Sequence, residues 1–267
     1  MTMTGAYGQR SRSTDPATVI AAGVLAATLA TVCHETLGHG LGCVVDRGQI
    51  TLLTSIWFRC KGAMSVTDAG GPIGSLVVGT AAMTLLSYGT LGRVPRLFAL
   101  LFGGLSLFWF ASQLITHPLG NRDDWFFVAR RMGWPWVWRP IMMGIGVGCY
   151  VIVMRWTAAV VRKQGAPGWR AIWLAYVAAA VSAVIAGLMW QPEPIRSAIE
   201  ETWILGVAPL GLLIATRRPG QAAERDLAAT AVPRSWAWIA VSVVVFGVFL
   251  FVQARGVGSM AGSPLPR

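Results

Sequence analysis

Residues 96–116 read RLFALLFGGLSLFWFASQLIT, and after Arg96 twenty consecutive residues pass without an ionisable side chain. A helix rises about 1.5 Å per residue, so roughly 20 such residues cross the roughly 30 Å hydrocarbon core of a bilayer. Six similar runs appear wherever charge, Pro or Gly interrupts the apolar pattern: 17–42, 66–90, 137–160, 170–190, 198–216 and 235–254. The pattern predicts an all-α polytopic membrane protein of six to seven transmembrane helices. Composition agrees. Of 267 residues, 55% are apolar and 12% charged, against about 25% charged in soluble domains, and this excludes a water-soluble globule. The 22 Lys and Arg outnumber the 11 Asp and Glu for a net charge of +11. These cations sit in short connections, where they serve topology and lipid-headgroup contact; no nucleic-acid partner is expected. With a cytoplasmic N-terminus twelve of them fall inside and ten outside, a weak bias. Tryptophans such as Trp134, Trp136, Trp138, Trp169, Trp190 and Trp236 fall at the ends of the runs, which is read as interfacial anchoring.

Residues 1–16 read as a disordered polar tail and 256–267 as another. Between them lie a core over 17–135 and additional transmembrane helices over 136–255. Arg10 and Arg12 before an apolar run resemble a signal peptide, but cleavage near Ala30 would strand the most chemically loaded segment, so the run is taken as a retained anchor. Gly48–Lys61, GQITLLTSIWFRCK, is rich in β-formers and partly alternates, predicting a small β-hairpin at the membrane face between the first two helices. Cys43 precedes it and Cys60 lies near its end. They are the plausible disulfide pair if this face meets an oxidising compartment; free thiols are the alternative.

The chain contains three histidines, and two fall in His34-Glu35-Thr36-Leu37-Gly38-His39 at the end of the first apolar run. Ionisable groups at membrane depth cost several kcal/mol unless paired or bound, which points to a divalent metal. Zinc fits imidazole nitrogens plus one carboxylate oxygen, with a fourth position left for water. Glu35 would then accept the water's proton and pass it to the leaving amine.

This segment resembles the HExxH helix of the site-2 protease (M50-like) family of intramembrane zinc metalloproteases. That family follows its zinc helix with a membrane-associated β element, then a helix opening Ala-Gly-Pro-x-x-Asn, then an Asp that completes the metal site. Here the counterparts are Gly48–Lys61, then Asp68-Ala69-Gly70-Gly71-Pro72-Ile73-Gly74-Ser75, then Asn121-Arg122-Asp123-Asp124-Trp125. The resemblance covers about the first half of the chain. It implies Zn2+ held by His34, His39 and Asp124, with Glu35 catalytic and Asp123 an alternative ligand. It also implies a membrane protein or peptide substrate and an integral protein of a bacterial-type inner membrane.

Three departures stand out. The family's histidines are four apart, whereas His34 and His39 are five apart, about 140° on a regular helix instead of about 40°. A one-residue π-bulge, for which Gly38 is permissive, would turn both inward; the alternative register uses Glu35 and His39 as ligands with His34 as base. Ser75 stands where the family often has Asn, and Asp123-Asp124-Trp125 replaces Leu-Asp-Gly. Accessory candidates are Asn121, His117 as an oxyanion stabiliser or interfacial residue, and Asp68 as a water binder or, preferentially, a helix cap. Gly70, Gly71, Gly74 and Gly79 read as a close-packing face. Glu200, Glu201 and Arg155 read as boundary residues in preference to a second polar site. The expected activity is hydrolysis of a peptide bond in or near the bilayer, with an extended substrate segment added as a strand to the hairpin. A proton- or metal-conducting transporter and a catalytically silent scaffold are the competing readings.

Overall fold

Asp15 starts the first helix. Its carboxylate accepts the Thr18 amide at 2.9 Å and the Thr18 hydroxyl at 2.7 Å, and Pro16 occupies the first turn, where a missing N–H costs nothing. The computed structural model describes residues 13–121, 123–164, 168–217 and 231–264. Within them, seven helices are long and apolar enough to cross a membrane: Pro16–Val45, Ser65–Tyr88, Arg93–Thr116, Trp138–Lys163, Trp169–Leu188, Pro194–Thr216 and Trp236–Ala254. They match the seven expected runs closely. The protein is an all-α polytopic integral membrane protein.

The first and third spans form the centre of the bundle. The first packs against the second, third, fifth and seventh, and its small side chains allow close approach: a Cβ on Gly23 would overlap the Ala175 backbone of the fifth. Leu97, Leu100, Leu101, Leu105, Phe108 and Trp109 of the third span are almost fully buried in the main core.

Between the first two spans, β1 (Gln49–Leu53) pairs antiparallel with β2 (Phe58–Lys61), bulged between Ile50 and Leu52. The hairpin is therefore where the alternation placed it, and Cys43 and Cys60 are joined in a disulfide.

The described parts of the two predicted tails, residues 13–16 and 256–264, are bonded to the rest of the chain. Residues 1–12 of the predicted N-terminal tail lie outside the described residues, but Asp15 donates its amide to the Val232 carbonyl at 2.8 Å. At the other end, the Leu53 and Val257 amides and carbonyls bond reciprocally at 2.9 Å, and the Met260 amide reaches the Thr51 carbonyl at 2.9 Å. The C-terminal segment thus adds to the second edge of β1. Trp190 explains why: it is fully buried with Leu52, Trp57, Met260 and Ala261, and its indole N–H donates to the Ala261 carbonyl at 2.8 Å. That also corrects Trp190 as an interfacial anchor. Trp138 is likewise buried, whereas Trp136 and Trp236 are exposed as expected.

Candidate metal centre

Val32–His39 is a π-helix set inside the first span. Its i→i+5 hydrogen bonding makes residues five apart neighbours on one face, which resolves the histidine spacing. His34 Nε2 lies 3.6 Å from Asp124 Oδ2, and His39 Nε2 lies 3.4 Å from Asp124 Oδ1. Two atoms bound at about 2 Å to one tetrahedral centre stand roughly 3.3 Å apart, so these separations fit two edges of a metal site. Glu35 Oε1 stands further off, 4.0 Å from His34 Nε2. Ligand atoms of His34, Glu35 and His39 all lie within 4.8 Å of one another, and the three residues are buried and could hold a metal ion.

The two rings are held from behind. His34 Nδ1 is 3.0 Å from the Ser75 hydroxyl, and His39 Nδ1 is 2.8 Å from the Thr67 carbonyl. The Thr67 carbonyl can only accept, so Nδ1–H of His39 is donated and its Nε2 lone pair faces Asp124; His34 takes the same tautomer where the Ser75 hydroxyl accepts. Trp109 stacks on His34 with centroids 4.0 Å apart, and Phe58 of β2 stacks on His39 at 5.3 Å.

The second span comes close enough only because of its glycines. Gly38 carries no side chain where the Gly70 carbonyl and the Gly71 Cα press against it, and a Cβ on Gly71 would overlap Nε2 of both His34 and His39. Gly70, Gly71 and Gly74 therefore pack on the π-helical turn, while Gly79 meets Leu107 of the third span.

Asp124 opens the short helix Asp124–Arg131 that follows the third span. Burial alone would raise its carboxyl, but His39, His34 and His117 beside it hold it below the usual carboxylate range. Asp124, not Asp123, faces the imidazoles; Asp123 takes the N-cap position with φ +77°. His117 Nδ1 accepts the Trp125 amide at 3.5 Å. Asn121 lies apart, accepting from Arg139 at 2.7 Å. Asp68 pairs with Arg131 and caps nothing.

The cap of the second span is Asp46, which the sequence reading passed over because it precedes the hairpin. Its carboxylate accepts the Met64 and Thr67 amides at 2.8 and 2.9 Å and the Thr67 hydroxyl at 2.6 Å. Burial would raise Asp46, but the Thr67 hydroxyl and the two amides hold it below the usual range. Since the Thr67 carbonyl holds His39, Asp46 positions a ring it never touches. Asp46→Asn is expected to weaken metal binding by about tenfold, measured by competition with a chromogenic chelator. A depressed folded value means the clamp is intact above the ordinary Asp range and fails as pH falls through the lowered value, so the wild-type advantage over Asp46→Asn should vanish in acid.

Gln113 was also missed. It is the one amide of the third span, buried at its end, and its Nε2 donates to Asp124 Oδ2 at 3.1 Å and lies 3.5 Å from His34 Nε2. A lone amide closing an apolar run was the available signal. Several buried polar atoms without a hydrogen-bond partner gather around this centre: Glu35 Oε2, Gln113 Oε1, Trp109 Nε1 and Trp125 Nε1. Such atoms cost about 1–3 kcal/mol each, and a ligated ion with its water would engage the first two.

No protein-family model, functionally described protein or solved structure matches the chain, so its class rests on these residues: an integral membrane protein with a buried group able to hold a metal ion.

Proposed function

We propose that the chain is a zinc-dependent endopeptidase of the membrane, similar in its site to site-2 proteases, that hydrolyses a peptide bond of a membrane protein or peptide. The observation that carries this reading is the approach of His34 Nε2 and His39 Nε2 to the two oxygens of Asp124, with a buried, unpartnered Glu35 oxygen beside them. Zinc bound by His34, His39 and Asp124 would polarise the scissile carbonyl and acidify a water. The remaining steps belong to side chains. Glu35 Oε2 accepts the proton of the attacking water and returns it to the leaving amine. Ser75 and Thr67 keep both Nε2 lone pairs on the site, and Gln113 orients Asp124. His117, with Nδ1 accepting the Trp125 amide, would offer Nε2–H to the developing oxyanion.

The Cys43–Cys60 disulfide lies about one turn beyond His39. Disulfides persist in oxidising compartments, which supports an extracytoplasmic site and an N-terminus on the opposite, more basic side.

Metal analysis joined to proteolysis tests the reading. The purified chain should hold about one zinc and cleave apolar peptides in detergent, and Asp124→Asn should lose both. Absence of zinc, or zinc without cleavage of any membrane-peptide library, would sink it. Bound metal transported across vesicles with Glu35 dispensable would favour the transporter.

Strand addition needs revision. The second edge of β1 already carries Val257 and Met260, so a substrate strand that joins the hairpin on that edge must displace the chain's own C-terminal segment. Val257→Pro removes the amide donated to Leu53 and should raise the rate of cleavage severalfold; an unchanged or lower rate would remove β1 from substrate binding.

A further inference from the structure

The third span turns two side chains toward His34, one helical turn apart. Trp109 stacks on the ring with centroids 4.0 Å apart, and Gln113, four residues on and so on the same face, brings its amide to the ring's edge. Gln113 is 4% exposed. Its Nε2 lies 3.1 Å from Asp124 Oδ2 and 3.5 Å from His34 Nε2, two atoms that are themselves 3.6 Å apart as one edge of the metal site. The end of the Gln113 side chain thus makes two more separations close to the roughly 3.3 Å expected between atoms bound to one tetrahedral centre. Glu35 Oε1 stands further from His34 Nε2, at 4.0 Å.

The other end of this amide is buried and unused: Gln113 Oε1 has no hydrogen-bond partner, a costly condition for a buried acceptor. The two ends of an amide are alike in size, and half a turn about the terminal torsion exchanges them without moving the stem. With Nε2 inward, the amide suits two acceptors, the Asp124 carboxylate and the Nε2 lone pair of His34. A cation held by those same two atoms reverses the preference, because it occupies both lone pairs, repels the N–H end and attracts the carbonyl end. Turning over gives up one N–H···O bond to Asp124, and a bond to a doubly charged ion outweighs it.

We propose that Gln113 is a displaceable fourth ligand of the metal centre. Its amide turns over as the ion binds, Oε1 bonds to the ion, and that bond breaks when the oxygen of a water or of a peptide carbonyl takes its place. A neutral amide oxygen holds a transition-metal ion less firmly than imidazole or carboxylate, so it is the ligand that can leave. The proposal rests on the centre formed by His34, His39 and Asp124, and not on the hydrolysis assigned to it.

The test loads the full chain in detergent with Co2+, whose visible absorption reports its ligands, and titrates it with azide, a small anion that needs an open position on the ion. Gln113→Leu removes the oxygen and should bind azide about tenfold more tightly than the wild type, since nothing has to be displaced. A Gln113 that only orients Asp124 predicts equal azide affinity in the two proteins, and that result overturns the proposal. Should Gln113→Leu fail to fold or to hold Co2+, the wild type decides. With glutamine carrying a heavy carbon isotope at its side-chain carbonyl, Co2+ should lower the frequency of one labelled C=O stretch in the infrared difference spectrum, because ligation weakens the carbonyl bond; a band that is not lowered overturns the proposal. A wild type that takes up no Co2+ defeats the metal centre and this ligand together, whereas bound metal with no peptide cleaved by the zinc form defeats the peptidase reading alone.

Discussion

If the site holds zinc as proposed, Gly71→Ala is expected to abolish metal binding while leaving the helices intact. In an ordinary helix interior this change stabilises by about 1 kcal/mol, because Ala forms helix better than Gly. Here the added methyl would overlap Nε2 of His34 and of His39 together. Neither ring can yield: His34 is fixed between Ser75 and the face of Trp109, and His39 between the Thr67 carbonyl and Phe58. The second span must back away, or the rings must leave the point they share with Asp124. Either way zinc affinity should fall by about 100-fold or more, with helical content by circular dichroism unchanged. Full zinc occupancy in Gly71→Ala at low free zinc would mean that metal, if bound, is bound elsewhere.

On the proposed peptidase reading, Glu35→Gln should retain about one zinc and lose cleavage by about 10²- to 10⁴-fold, the usual share of a general base. The geometry separates the two effects. Glu35 Oε1 is 4.0 Å from His34 Nε2, longer than the Asp124 contacts, so if His34, His39 and Asp124 are the ligands as proposed, removing its charge leaves that set intact. Glutamine keeps the shape and cannot take a proton. The combined measurement is metal content and cleavage rate on one preparation. Zinc lost along with activity would make Glu35 a ligand; activity retained with zinc in place would remove proteolysis by this route.

The seven spans were legible because their cause is local: a residue facing lipid is selected by the solvent around it, not by a partner. The hairpin was legible for a similar reason, since β-branched and aromatic residues in partial alternation have few other uses between two spans. His34, Glu35 and His39 stood out as charge where charge is expensive. Gln113 and Asp46 did not, because amides and pre-hairpin acids are ordinary in composition, and only the neighbour each one touches gives it a role. Glu201 was misjudged for the opposite reason. Beside Glu200 and near two prolines it looks like a span end, but packing of the spans makes it interior, 1% exposed.

By itself the chain's order of residues determined a polytopic helical bundle with a metal-capable cluster at the end of its first span, because transfer of side chains out of water is read residue by residue. Tertiary structure alone decided that His34 and His39 share a face, that Asp124 and not Asp123 meets them, and that the C-terminal segment closes β1. Those outcomes depend on hydrogen-bond register and on contacts between residues far apart in sequence, such as Gly71 against His34 and His39, which no local pattern records.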